Sequence, residues 1–400
     1  MTTTDTANRT ETAVGIPWRS PALVAILAAT LVTPMDVPLV SPLLPEIQAV
    51  FGVSESHAGL LITLYAVPGI VLAPVIGALA DRIGRRYVLS GCLVVFGLAG
   101  TAIAFTTEFR VALRLRLLQG FAAGSILSAL TMTLVGDRYH GRQHDTVMGL
   151  TTAMLSLGTA VYPLIGGYLT SYSWNAPFLM YAFALPVAGL VFLGVDETET
   201  GRNSHSGGYL REALRLVPTR RAAALYGIMF VSFALLFGGF YTALPFYLTG
   251  TFGFSPTVVG LITSVVLLAS AIVATQNGLA AAYASRRTLL GVGFVLYASG
   301  FLGAALAGTE PLLVGALLVF GVGSGLVTPT LFAALSTLAP DQVRAGVMSL
   351  QTTTIGVSQV VGPAVFTLVG GAVGYQTTLL GASAGAVLFT AVLAVVPLEP

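Results

Sequence analysis

Apolar runs of about 20 residues, the length a helix needs to cross a bilayer, recur along the whole chain between short polar breaks. Twelve can be marked, at residues 21–46, 58–80, 87–106, 111–135, 146–170, 177–195, 222–247, 257–281, 288–307, 311–336, 346–369 and 376–396. The pattern predicts an all-α membrane protein with twelve transmembrane helices. Strands of an outer-membrane barrel would read as shorter, alternating segments. One long polar stretch interrupts the series, from Asp196 to Arg221. Within it Leu210, Leu214 and Val217 share a helical face, so the piece can lie on the inner leaflet as an amphipathic helix or act as a solvated linker helix. Residues 1–17 are polar and Thr-rich without an apolar core, so residues 1–20 are expected to form a tail and not a cleaved signal peptide.

The pattern also repeats. LPEIQAVFGVS (Leu44 to Ser54) returns as LPFYLTGTFGFS (Leu244 to Ser255), and Gly77 with Arg85 and Arg86 returns as Gly278 with Arg286 and Arg287. Gly120 and Gly124 return as Gly321 and Gly325, Met148 and Leu150 as Met348 and Leu350, and Pro163 as Pro363. The offset is 200 or 201 throughout. The expected organisation is therefore two pseudo-symmetric six-helix bundles, residues 21–195 and 222–400, joined by residues 196–221. Internal repeats of this kind mark secondary transporters, whose binding site lies between the repeats.

Composition agrees with the membrane reading: 55% of the 400 residues are hydrophobic and 8% are charged, against about 25% charged in soluble domains. All 18 basic residues are arginine, and their placement sets orientation. Arg82, Arg85, Arg86, Arg138, Arg142, Arg286, Arg287 and Arg344 fall in loops on one side, joined there by the arginines of the tail and of the polar stretch; Arg110 alone falls in the opposite loops. The positive-inside rule then puts both termini in the cytoplasm, in the inner membrane. One cysteine, Cys92, excludes a disulfide framework, and the four histidines are not spaced as ligands, so no metal or cofactor is expected. Without lysine there is no GxxxxGK[ST] loop and no ATP-driven pump of that type within the chain, and an enzyme is not expected. Nucleic-acid binding is not expected either, and the working unit is expected to be a monomer.

Asp36 is the one acid well inside a span; the other fifteen map to loops, tails or helix ends. A carboxylate in hydrocarbon is costly and faces a cavity or a partner. Burial favours its protonated form, so an acid so placed can load and release a proton. Pro38 and Pro34 on either side remove the hydrogen bonds to the carbonyls of Pro34 and Thr30, which suits a wet, cavity-lining stretch. The alternative is that Asp36 merely caps a helix broken by its prolines. Asp36 lies about 13 Å below the outer end of its span, and Arg116 about 9 Å into the fourth span from the same side. The two could meet directly or through water, unless Arg116 snorkels outward. At the repeat offset Asp36, Asp81 and Arg116 correspond to Leu236, Ala282 and Leu317. Ion coupling is thereby assigned to the first half and the shaping of the substrate cavity mainly to the second.

Three motifs carry a resemblance. GALADRIGRR (Gly77 to Arg86) resembles the loop 2–3 signature of the major facilitator superfamily, and RLLQGFAAG (Arg116 to Gly124) is similar to that superfamily's fourth-span motif. GTAVYPLIGGYL (Gly158 to Leu169) resembles the fifth-span motif of its twelve-span drug:proton antiporter branch, with Tyr162 where that motif has glycine before its proline. The resemblance implies that Asp81 and the arginines Arg82, Arg85 and Arg86, with Asp137 at the end of the fourth span, form a latch closing the cytoplasmic side. It also implies a part for Arg116 in proton transfer. Read from the residues, Gly77 allows close helix approach, Gly84 allows a tight turn, and Gly158, Pro163, Gly166 and Gly167 give a small-residue, bent contact face.

The cavity is expected to be lined by aromatic residues of the seventh span, Phe233, Phe237 and Tyr241 among them, with Tyr65, Tyr162, Ser358 and Gln359. A mostly apolar pocket with few charges suits lipophilic or neutral ligands. Proton-coupled efflux of small lipophilic or drug-like compounds is the first expectation. Transport of a neutral solute such as a sugar or an amino-acid derivative, with Asp36 binding substrate, is the second. A non-transporting membrane sensor or scaffold is the third, opposed by the intact latch motif.

Overall fold

The computed structural model describes residues 18–122, 124–196, 220–337 and 344–395. The tail through residue 17 and the stretch with Leu210, Leu214 and Val217 lie outside the described residues. Sixteen helices run through the rest: α1 (Pro21–Val32), α2 (Leu44–Phe51), α3 (Glu55–Ile83), α4 (Arg85–Ala102), α5 (Phe109–Gly120), α6 (Gly124–Arg138), α7 (Gly141–Thr170), α8 (Ala176–Leu179), α9 (Ala184–Gly194), α10 (Arg220–Ala234), α11 (Leu244–Phe252), α12 (Pro256–Tyr283), α13 (Arg286–Leu306), α14 (Glu310–Ser336), α15 (Arg344–Val373) and α16 (Tyr375–Val395). No strand occurs among the described residues. Ten of the helical stretches are long and apolar enough to cross a membrane, and the apolar helix Pro21–Met35 is shorter.

Two of the expected spans are broken. The first ends as an α-helix at Val32, passes through short 3₁₀ turns at Thr33–Met35 and Ser41–Leu43, and resumes at Leu44. Pro34, Pro38 and Pro42 each lack the N–H a continuous helix needs. The fourth is two helices, α5 and α6, with a turn at Phe121 and Ala122; three arginines (Arg110, Arg114, Arg116) lie in α5, and two poor helix formers, Gly120 and Gly124, flank the turn. A third irregularity was not expected: between α10 and α11, Leu235–Ala243 winds as a π-helix. Thr242 Oγ1 donates to the carbonyl of Phe237, five residues back, at 2.7 Å.

The repeat offset reappears in local geometry. Ser54 caps α3 and Ser255 caps α12, each side chain accepting from the N–H three residues on. Before each cap the chain turns through a left-handed glycine, Gly52 at φ 59° and Gly253 at φ 67°. Gly120 lies against the carbonyl of Tyr65 and Gly321 against that of Val266, so tightly that a side chain at either glycine would clash.

Helices before residue 196 pack mainly on one another, α4 on α9 and α3 on α5, and those after 220 likewise, α13 on α14 and α16. The two sets meet along α7 with α12 and along α3 with α15. The candidate site lies where the broken first span reaches this boundary.

Candidate functional site

The break in the first span leaves main-chain carbonyls without helical partners, and side chains from other helices take them up. Arg116, on α5, is fully buried. Its Nη2 donates to the main-chain oxygen of Asp36 at 2.9 Å, Nε donates to Leu61 O at 3.0 Å, and Nη1 donates to Gln119 Oε1 at 2.7 Å and to the Tyr181 hydroxyl at 3.1 Å. The Tyr65 ring lies 4.8 Å from the guanidinium carbon, a cation–π contact. Tyr181 donates onward to Met35 O at 2.8 Å, and Tyr162, on α7, donates to Leu31 O at 2.8 Å. Arg116 therefore does not snorkel, while Arg114 on the same helix is exposed.

Asp36 and Arg116 come together, but through the Asp36 main chain. The Asp36 side chain is half-buried. Its carboxylate accepts from the main-chain N–H of Val37 and lies within electrostatic range of Tyr181 and Tyr241. From α15, across the boundary, the Gln359 amide comes within interaction range of the same carboxylate, yet its buried Nε2 closes no hydrogen bond of good geometry. The amide and the acid thus face each other across the boundary.

The other expected cavity residues divide. Phe233, Phe237 and Tyr241 form a run of stacked rings, with centroids 6.0 and 6.1 Å apart and planes at 28° and 26°. Ser358 is buried, its hydroxyl donating to Thr354 O at 2.8 Å and Phe230 O at 3.1 Å. Tyr65 and Tyr162 are 1% and 5% exposed and serve the break in the first span, as the contacts above show.

The fifth-span motif works on two faces of α7. Gly158 admits the ring of Pro34, and Gly166 admits the main chain at Leu39. On the other face Gly167 lies against the Pro256 carbonyl, and Gly260 of α12 against the Pro163 carbonyl. Thr257 Oγ1 donates to Gly167 O at 3.1 Å, and Leu164 N donates to Ser264 Oγ at 2.9 Å, tying α7 to α12.

At the arginine-bearing end Gly84 turns the chain at φ 106°, which only glycine adopts easily. Arg85 pairs with Asp81 at 3.2 Å and with Asp137. Arg86 donates to Val195 O at 3.3 Å and lies over the Phe192 ring at 4.7 Å, while Arg82 is exposed. These partners all precede residue 196. Arg138 pairs with Asp196 at 2.8 Å, and that hydrogen bond, with the arginine's charge, holds the Asp196 carboxyl below its ordinary range. Gly77 departs from expectation: a side chain there would meet nothing within 4 Å, so no helix approaches it closely in this arrangement.

Sequence reasoning missed Gln119 and Tyr181. Gln119 sits in the quoted fourth-span motif, three residues after Arg116, a spacing that faces the two side chains to each other. Tyr181, in an apolar run, carries no such signal.

A broken, acid-bearing helix at the boundary of two helix sets, held by a buried arginine, is the architecture of a membrane transporter. The Major Facilitator Superfamily profile matches residues 26–255 and again 226–400, and the chain belongs to that superfamily. Among its relatives, the class B tetracycline resistance protein of Escherichia coli is 26% identical over 86% of this chain and 87% of the relative. The multi-drug resistance efflux pump PmrA homolog of Lactococcus lactis is 27% identical over 86% of this chain and 87% of the relative. Among solved structures, a bacterial homolog of the human lysosomal transporter Spinster, inward-facing and unoccupied, superposes with a TM-score of 0.80 at 15% identity over 95% of this chain and 96% of that one. The nucleoside transporter NupG superposes at 0.79 with 13% identity over 94% and 99%. The chain is thus a multi-pass membrane transporter, resembling the drug:proton antiporter branch in its curated relatives.

Proposed function

We propose that this protein is a proton-coupled exporter of small lipophilic or drug-like compounds and not an enzyme. It works as a monomer in the inner membrane, with both termini cytoplasmic. In this reading the first span counts as one pass despite its break, α5 and α6 make another, and twelve passes form two six-helix bundles that rock about a central site. Asp36 takes a proton from outside as substrate leaves and gives it up inside.

One observation carries the reading. Arg116 spends its donors on main-chain and neutral acceptors, so the Asp36 carboxylate is left half-buried at the boundary without a side-chain cation bonded to it. The carboxylate is held by main-chain N–H groups, Val37 among them, and not by a bonded cation, which leaves it able to exchange a proton. The arginine end supplies the complementary part: Asp81, Arg85 and Asp137 form a charged cluster within the first half, available to latch that side when the halves close. The twofold use of glycine contacts between α7 and α12 gives the halves a smooth surface to rock on.

The test is transport in proteoliposomes under an imposed pH gradient, with a panel of lipophilic cations, lipophilic neutral compounds and a sugar. Wild type is expected to move lipophilic compounds against the proton gradient's direction, and Asp36→Asn is expected to lose that dependence while still binding substrate. Unchanged gradient dependence in Asp36→Asn would remove the proton role; preference for the sugar would favour a neutral-solute carrier.

A further inference from the structure

Four aromatic rings lead from the arginine-bearing end toward the unclosed pair of Gln359 and Asp36. Phe332 of α14 is partly exposed and lies five residues before Thr337, whose hydroxyl takes a hydrogen bond from Arg286 at 2.8 Å. Its ring stacks on Phe233 with centroids 6.3 Å apart and planes at 12°. Phe233 stacks on Phe237 at 6.0 Å and 28°, and Phe237 on Tyr241 at 6.1 Å and 26°. Tyr241 then lies within electrostatic range of Asp36. The rings from Phe233 to Tyr241 recur every four residues along the seventh span, and the last two, Phe237 and Tyr241, lie in the π-helical stretch. Gln359 is 8% exposed, and Ser358 beside it bonds the carbonyl of Phe230, one turn before Phe233, so this part of α15 packs alongside the ring run.

A buried amide N–H₂ without a hydrogen bond is costly and is retained where something else supplies the acceptor. Across from it the Asp36 carboxylate is itself an acceptor. The pair offers one donor and one acceptor side by side, at the end of a strip of flat apolar faces.

We propose that Gln359 and Asp36 together read the polar edge of a flat aromatic substrate, one that carries a hydrogen-bond acceptor next to a donor as a lactam does, with the Phe332–Phe233–Phe237–Tyr241 rings holding its face. This rests on the transporter reading above and names the substrate class of the same site. The lactam C=O accepts from Gln359 Nε2, and its N–H donates to the Asp36 carboxylate. The arrangement links binding to the proton: the substrate N–H bonds the ionised Asp36 carboxylate with charge assistance, and protonating Asp36 removes that assistance and weakens the hold on the substrate. Gln359 comes from the second half and Asp36 from the first, so a bound lactam also closes the gap between the halves.

The experiment uses full-length protein in lipid nanodiscs and two fluorescent tricyclic probes, phenanthridin-6(5H)-one, which has the lactam edge, and phenanthrene, which has the same shape without it. Titrations are corrected against empty discs. Wild type is expected to prefer the lactam by about tenfold or more, the discrimination one or two hydrogen bonds supply. Gln359→Leu, similar in volume, is expected to weaken the lactam about tenfold and to leave phenanthrene within about twofold. Phe237→Ala is expected to weaken both. Thermal unfolding of each variant checks that it is folded, and Gln359→Asn, which keeps the amide on a shorter stem, should fall between wild type and Gln359→Leu. Equal affinity of wild type for the two probes, or an unchanged lactam affinity in Gln359→Leu, overturns the proposal. The readout is binding without a gradient, so a failure of proton coupling in the transport assay would leave this result standing, and the reverse.

Discussion

The same place in the fold is polar in the first half and aromatic in the second. Arg116 and Gln119 of α5 correspond, 201 positions on, to Leu317 and Phe320 of α14. Both pairs are essentially inaccessible to solvent. In the first half the side chains hold Leu61 O, Phe96 O, the Tyr181 hydroxyl and the Asp36 main chain. In the second half Phe320 stacks on Tyr297 at 4.6 Å and Phe240 at 5.1 Å. The arginine ends differ in the same way: Arg85 pairs with Asp137, while at the matching positions Arg286 donates to Thr337. The fold needs a filled anchor between these helices and a tether at the loop end, and hydrophobic packing or a neutral hydrogen bond suffices for both. A buried charge is not required for stability there and is seldom better than apolar packing. The first half carries charges because its opening helix is broken around an acid, and the freed carbonyls need strong donors.

The comparison breaks most directly by writing the second half's solution into the first. Arg116→Leu places there the residue found at 317. It orphans the carbonyls of Leu61 and Asp36 and the Gln119 amide oxygen together, so a loss of about 3–5 kcal/mol is expected, along with transport. Arg116→Lys, with one ammonium in place of a forked guanidinium, cannot span all four acceptors and should rescue little. A thiol-reactive dye reporting Cys92, the single cysteine, follows the melt. If Arg116→Leu melts like wild type, the anchor is interchangeable and the argument from freed carbonyls is wrong.

A smaller effect is expected from Asp137→Thr, which copies the Arg286–Thr337 pair into the first half. The Arg85 and Asp137 side chains are 27% and 28% exposed, so the pair is screened and a change of about 1 kcal/mol or less in stability is expected. A several-fold fall in transport without a matching fall in melting temperature would mark the acid as part of the transport cycle. Equal falls in both would mark it as a tether only.

How far the chain discloses this can be traced residue by residue. Hydropathy and the 200–201 offset disclose the helices and their pairing, since membrane burial imposes long apolar runs and a duplicated backbone keeps its glycines where main chains touch. The break after Val32 is legible in Pro34, Pro38 and Pro42. The π-helical stretch at Leu235–Ala243 is not: no proline marks it, and it depends on how Gly238 and Gly239 fit against α15 and Phe301. For the site, Asp36 and Arg116 stand out as charges in apolar runs. That the arginine binds the acid's main chain and not its carboxylate depends on backbone direction, which composition does not encode. Tyr181 is illegible because a tyrosine in a membrane span is ordinary until its hydroxyl is placed.

Tyr162 sharpens the comparison more gently. It stands where the motif it resembles has glycine, and its hydroxyl holds Leu31 O beside the break. Tyr162→Phe keeps the ring against the helix and removes one hydrogen bond, about 1 kcal/mol, visible as a modest drop in melting temperature with substrate affinity unchanged. Tyr162→Gly, which restores the glycine, removes the ring as well and should cost more. A Tyr162→Phe variant as stable as wild type would show that the broken span is held by Arg116 and Tyr181 alone.

The smallest effect concerns which acid titrates with transport. Asp196, at the arginine end, is an exposed carboxylate whose titration is displaced downward, first by the hydrogen bond from Arg138 and then by its charge. A depressed carboxyl contributes stability above its unfolded value and loses it as pH falls through the folded one. Its contribution is therefore constant across neutral pH and fades only below about pH 4. Arg138→Gln should bring Asp196 back toward the ordinary carboxylate range, followed by carbon NMR of the labelled side chain, and should leave the pH profile of transport near neutrality where it was. Asp36→Asn should do the opposite, altering that profile while Asp196 titrates as before. If Arg138→Gln moves the neutral-pH profile, the first half's pH response is shared with its surface, and the contrast between one working acid and its structural neighbours fails.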